Sequence, residues 1–147
     1  MSKRLLAVIF TIHAACMAVH AQYANSITVE TLLKTDTTAI GQRIAYPQVA
    51  HPEVSMLKIT MAPGSTTGLH KHEIPLFAYV IQGSLTVIRE NHEPRVFRAG
   101  DTIAEMIEVY HEGINNGDED VILIACYLGG DNKPLAIAKQ KDSERDD

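Results

Sequence analysis

Short runs of alternating apolar and polar residues, broken every few positions by Gly, Pro or Asn, dominate the chain. In Val54–Met61, the residues Leu57, Ile59 and Met61 recur at every second position, the period of a strand with one buried face. Ala62-Pro63-Gly64 ends that run with turn chemistry. Leu76–Ile81 and Leu85–Ile88 read as two more strands, joined tightly through Gln82-Gly83-Ser84, where glycine is free to take positive φ. Asn91-His92-Glu93-Pro94 reads as a hairpin loop that leaves His92 in solvent. Val96-Phe97 leads to a turn at Ala99-Gly100-Asp101, and Thr102–Ile107 and Tyr110–Ile114 are expected strands. Asn115-Asn116-Gly117-Asp118 contains the Asn-Gly pair that marks a two-residue hairpin. Val121–Leu128 is apolar throughout, which predicts cover on both faces, and Gly129-Gly130 is expected to end it. Leu135–Ala138 returns as an edge strand. Upstream, Ile27–Leu33 is rich in β-branched residues and reads as a first strand. Arg43–Tyr46 reads as a short one closed by Pro47, and His51-Pro52 as a loop.

No segment keeps a helical period. Strands at spacings of ~8–12 residues with turns between them predict an all-β sandwich or barrel. At 147 residues, 46% of them hydrophobic, the chain suits a single domain with a sizeable core. The expected organisation is a strand and arm over residues 22–53, the barrel over 54–138 and a disordered charged tail over 139–147.

Residues 1–21 stand apart. Ser2-Lys3-Arg4 is a basic start, Leu5–Val19 is mostly apolar, and Val19-His20-Ala21 offers a cleavage site before Gln22. This reads as a secretory signal peptide, which places the mature chain in the periplasm or outside the cell. As a membrane anchor the run is short of ~20 residues and is interrupted by His13. A lipoprotein reading would use Cys16, but His13 stands where a Leu-like residue is expected. Cleavage removes Lys3 and Arg4 and no acid, taking the net charge from −5 to −7. An acidic chain is a poor partner for nucleic acid or for an anionic membrane. Aromatics make up only 5% and Trp is absent, so no base-stacking platform is expected either. Cleavage also leaves Cys126 alone, without a disulfide partner. Inside an apolar strand it reads as a buried, inert thiol.

Of the seven histidines, five remain after cleavage: His51, His70, His72, His92 and His111. Strand alternation puts His70 and His72 on one face. With His111 they make a set that suits a divalent transition metal such as Fe, Mn, Ni or Zn. Taken alone, His70-x-His72 reads by default as a pair of half-exposed histidines at a strand end. The surrounding frame distinguishes them. The first segment runs Gly64-x5-His70-x-His72 and on to Gly83; the second runs Gly100-Asp101, His111, Asn115.

This frame resembles the two-motif signature of the cupin superfamily, over roughly Val54–Leu128. The resemblance implies a double-stranded β-helix, or jelly-roll barrel, holding a metal on His70, His72 and His111. Two departures stand out. The family's Glu, seven residues before the glycine matched by Gly83, is Leu76 here. The Pro and Gly of the second motif are Met106 and Glu108, which predicts a differently built turn. Three neutral imidazoles leave a divalent ion with its full charge, favouring anionic ligands. Three-histidine iron sites occur in thiol dioxygenases of the superfamily, an analogy of chemistry rather than an assignment.

A carboxylate could return through Glu105, an acid in an apolar run. Facing inward it would serve as fourth ligand, partner to a histidine, or general base; on an alternating strand it would equally face solvent. Glu73 should face away from the metal by parity. If Leu76 faces the pocket, Ala78 and Val80 line it, while Phe77 and Tyr79 pack between sheets. Tyr110 belongs either to the barrel mouth or to ordinary packing. The functional expectation is an exported metal-binding cupin, of dioxygenase or isomerase type, acting on a small anionic organic molecule. The alternative is a non-catalytic barrel, a sensor or carrier with structural metal or none. Ile27–Leu33 would supply the edge for a homodimer.

Overall fold

The computed structural model describes residues 27–140. The expected leader over residues 1–21, with Cys16, and the tail from residue 141 lie outside the described residues. Residues 27–30 are exposed and form no strand. The remainder, from Thr31 on, is one unit.

Nine strands follow one another without a helix among the described residues: β1 (Pro52–Met61), β2 (His70–Lys71), β3 (Leu76–Gln82), β4 (Ser84–Arg89), β5 (Arg95–Arg98), β6 (Thr102–Ala104), β7 (His111–Asn115), β8 (Val121–Gly130) and β9 (Ile137–Ala138). They form two antiparallel sheets, ordered β1-β8-β3-β6 and β5-β4-β7-β2-β9. Met61, Val80, Ile103 and Leu123 from the first sheet meet Leu85, Val87 and Phe97 from the second in a common core. This is the all-β architecture predicted by the strand pattern, in the jelly-roll form that the resemblance implies. It also explains the alternation: each strand turns every second residue into the space between sheets.

One connection differs from its expected form. Asn115–Asp118 does not close a hairpin, because β7 and β8 belong to opposite sheets, as do β3 and β4 on either side of the tight connection Gln82-Gly83-Ser84. Both turns carry the chain across the core. Gly83 takes φ +77°, and a Cβ there would lie 2.7 Å from the Asp120 carbonyl oxygen, so only glycine fits. Gly129 and Gly130 continue β8 rather than ending it. At Gly130 a Cβ would fall 2.2 Å from the His51 carbonyl oxygen, where β1 begins.

Asn115 is fully buried. Its Nδ2 donates to the carbonyls of Met61 and Glu119, both at 2.8 Å, and its Oδ1 accepts from Gly117 N at 3.0 Å. The side chain thus spends its hydrogen bonds tying the crossover to β1 instead of closing a hairpin. Asn115→Ala leaves these groups unpaired in the interior and is expected to cost about 2–3 kcal/mol in urea unfolding; a loss below about 0.5 kcal/mol would contradict this accounting.

Three further expectations are corrected. No strand forms over Ile27–Leu33 or Arg43–Tyr46; the latter contributes a lone bridge, Thr37 with Arg43. β-Branched composition favours a strand only where a neighbouring strand is there to pair with. Among the described residues, the outer face of β8 is only partly covered: Ile122, Ile124, Cys126 and Leu128 are half-buried. Cys126 is therefore a free, partly accessible thiol. Phe77 and Tyr79 lie on that same outer face, in register with Cys126 and Ile124, not between the sheets. Val54 and Met56 of β1 extend the apolar face into solvent.

Candidate metal centre

The two histidine segments meet on neighbouring strands. His70 of β2 and His111 of β7 are direct cross-strand partners, and His72 follows two residues beyond His70 on the same side. The ring centroids lie 4.6 Å apart for His70 and His111, 4.9 Å for His70 and His72, and 5.2 Å for His72 and His111. One ring nitrogen from each falls within 4.8 Å of the other two. His72 and His111 are buried and His70 is half-buried.

Each imidazole is oriented by a main-chain carbonyl. Nδ1 of His70 donates to Gly68 O at 2.8 Å, Nδ1 of His72 to Leu135 O at 2.7 Å, and Nδ1 of His111 to Val109 O at 2.9 Å. Among the described residues, no hydrogen bond engages any Nε2. A carbonyl holding Nδ1–H fixes the neutral tautomer and leaves the Nε2 lone pair for another partner. Burial acts in the same direction. It lowers the pKa of all three histidines, that of His72 to about 4, and so keeps them unprotonated at neutral pH. Three neutral nitrogen donors facing one space fit a divalent transition metal.

That space is a cavity of about 80 Å³. Ile59, Met61, Leu85, Val87 and Leu123 form its apolar wall, and Thr67, Tyr127 and Glu105 share it with the histidines. No Lys or Arg lines it.

Glu105 faces inward. It follows β6, and its backbone N–H donates to Leu76 O at 2.9 Å, extending the β3–β6 pairing by one residue. It is only 8% exposed, and its Oε2 has no hydrogen-bond partner. Oε2 lies 3.8 Å from His111 Nε2. Burial disfavours the charged form of both groups. It pushes the Glu105 carboxyl up to about 7 while lowering His111, so burial draws both groups toward their neutral forms.

Leu76 packs with Ile74, Ala125 and Tyr127 and does not line the cavity; Ala78 and Val80 belong to the core beside it. Glu73 points away and reaches Lys71 at 3.5 Å. Tyr110 also stays outside the cavity, beneath the ammonium groups of Lys71 and Lys139. The turn after Glu105 carries Met106 and Glu108 at the motif's Pro and Gly positions. Glu108, at the motif's glycine, takes φ +59°, a left-handed conformation that costs a side-chain-bearing residue ~1–2 kcal/mol. Its N–H donates to His72 O at 2.8 Å and its carboxylate pairs with Lys71, which hold it there.

Tyr127 was hidden in the sequence as one more member of an apolar strand. Its ring meets His72 edge-on, with centroids 5.7 Å apart, and burial raises its pKa, with Glu105 adding to the rise. The parity of Val121, Leu123, Ala125 and Tyr127 was the available signal: it puts a phenol at the end of an inward-facing row.

Comparison with known proteins agrees with this architecture. No curated protein sequence matches the chain. Among solved structures, a cupin-like protein from Thermotoga maritima is 20% identical with a TM-score of 0.54, over 62% of this chain and 68% of that one. The DMSP lyase DddQ of Ruegeria pomeroyi is 18% identical with a TM-score of 0.52, over 62% of this chain. An oxalate oxidase in complex with glycolate is 27% identical over 50% of this chain, with a TM-score of 0.45. The chain spans 41% of that oxidase and 45% of the lyase, less than half of either relative. At these levels the likeness speaks for the fold alone. Residues 57–127 match the family described as Cupin domain (Cupin_2). With its two antiparallel sheets and its histidines meeting between them, this chain belongs to the cupins, as a small member of that superfamily.

Proposed function

We propose that the protein is an exported metal-binding cupin in which His70, His72 and His111 hold one divalent transition-metal ion that acts on a small organic molecule. The observation that carries this reading is the convergence of three Nε2 atoms on one cavity, each ring held from behind by a main-chain carbonyl. The sequence of residues 1–21 supports export. Nitrogen donors of this kind suit Fe, Mn, Ni or Zn. When bound, the ion supplies Lewis-acid chemistry and, if it is iron, a route to oxygen chemistry.

The chain's own residues set the rest. The apolar wall limits water, and Tyr127 offers a phenol to the same space. The cavity is about half the ~150 Å³ that accommodates benzene, so the ligand has only a few non-hydrogen atoms. Without Lys or Arg in the lining, an anionic substrate has no cationic side chain to meet and depends on the ion for attraction. A carboxylate or other small chelating oxygen group is therefore the reading we favour.

Metal content decides the matter. Loaded in turn with iron, manganese, nickel and zinc, the purified protein is expected to retain about one ion per chain, and His70→Ala to lose it. Failure to hold a stoichiometric ion under all four conditions would sink this reading. If the ion is held, oxygen uptake across a panel of two- to four-carbon acids tests the dioxygenase form. Tight metal binding with no turnover of any such acid would leave a binding barrel, a carrier or sensor.

A further inference from the structure

We propose that Glu105 is the carboxylate ligand of that ion, delivered by the strand next to the one on which the motif carries its acid. This inference rests on the three-histidine reading above and adds a fourth protein ligand to it. It starts from an oxygen atom without a partner. Glu105 Oε2 is buried and accepts no hydrogen bond. Such groups are rare in folded proteins, because the lost hydration is not returned. The sheet does not require an acid there: a leucine or methionine would fill the same volume among Ile103, Ala104 and Met106, which are all buried.

The surroundings offer that oxygen no other cation. No Lys or Arg lines the cavity, and the nearest basic group, His111 Nε2 at 3.8 Å, is one of the proposed ligands and has its only ring proton on Nδ1. An ion held by the three Nε2 atoms would sit in the space Oε2 faces. Donors on one such ion, each at about 2.1 Å from it, lie roughly 3.0–3.5 Å apart. The 3.8 Å separation between Oε2 and Nε2 is close to that value.

Register explains where the acid went. Glu105 N donates to Leu76 O, so the two residues stand side by side on β3 and the extension of β6. Leu76 turns its side chain toward Ile74, Ala125 and Tyr127, while Glu105 reaches the histidines. The acid has moved one strand sideways in the same sheet. The charge balance follows: a divalent ion that kept +2 on three imidazoles would keep +1 with Glu105 ionised. Adding an oxygen donor also shifts preference toward harder ions such as manganese.

Calorimetric titration with Mn²⁺, Ni²⁺ and Zn²⁺, each alone, tests this in the wild type and in Glu105→Gln. The amide keeps the shape and removes the charge. The tightest ion is expected to bind Glu105→Gln ~10-fold or more weakly. The chelator-treated variant should melt no lower than chelator-treated wild type, which separates ligand loss from misfolding. Glu105→Met, apolar and similar in size, gives the same comparison if the amide is poorly tolerated. Affinities within twofold of wild type for every ion would overturn the role of Glu105 and leave the histidine site standing. A wild type that takes up none of the three ions, and holds no iron when loaded with it, would overturn both.

Discussion

His111→Ala is expected to weaken binding of the divalent ion by ~100-fold or more while leaving the chain folded, a larger effect than that of a partner behind a ligand. Of the three proposed histidine ligands, His111 is the one that comes from the second segment, and it stands opposite His70 in the ladder. Without it, His70 and His72 remain as a pair from one short stretch, with an open side toward β7. A hundredfold loss corresponds to about 2.7 kcal/mol of binding. The fold bears a smaller burden. The side chain is 2% exposed, so its removal leaves Val109 O without its donor and a small void, together about 1–3 kcal/mol. Titration calorimetry and urea unfolding of the same samples read the two effects separately. Affinity within tenfold of wild type would place the ion elsewhere.

The metal-stripped protein should carry a second signature, in the pH dependence of its stability. Burial raises the Glu105 carboxyl from 4.5 to about 7. An acid with a raised folded pKa binds its proton more tightly when folded. Its stabilising contribution is complete below pH 4.5, declines as the pH rises through 7, and is absent above. The difference of roughly 2.5 units amounts to about 3 kcal/mol. The histidines run the other way. Burial lowers His72 from 6.5 to about 4, with His70 and His111 shifted in the same direction. Their contribution is complete above pH 6.5 and is lost as the pH falls toward 4. In the wild type the two slopes oppose each other between pH 4.5 and 6.5. In Glu105→Gln only the histidine slope remains. The stability difference, variant minus wild type, is therefore expected to grow from its value near pH 4.5 to about 3 kcal/mol more at pH 8. Urea unfolding in excess chelator across that range measures it. A difference that stays constant with pH would mean that Glu105 is not a buried neutral acid in the metal-free fold.

The legible parts of this protein are those where side-chain period and the candidate site coincide. His70, His72 and His111 could be read as one set because period 2 fixes the face of the first two and the glycine frame brings in the third. The strands of the core were read from the same alternation. Where several adjacent residues are all buried, period carries no information: Ile103, Ala104, Glu105 and Met106 are buried together, so only the fold could show that Glu105 turns inward. Tyr127 was obscured in the same way, by the apolar neighbours on both faces of β8. The crossovers at Gly83 and Asn115 share the local chemistry of hairpins, and what separates them from hairpins is the sheet to which the next strand belongs. That is a long-range fact. Ile27–Leu33 failed for the converse reason: a local preference for extended backbone found no strand to pair with.

The bond from His72 Nδ1 to Leu135 O joins residues 63 positions apart. Its consequence reaches beyond positioning. The carbonyl that holds the His72 proton belongs to the segment leading into β9, an edge strand held by its pairing with β2 alone. The proton inventory of the centre is thus anchored near the chain's C-terminal end. Trimming the chain back past Leu135 would take one apolar side chain from beside Ile74, Leu76, Ala125 and Tyr127, and it would release one imidazole to choose its tautomer and dull its basicity toward a metal.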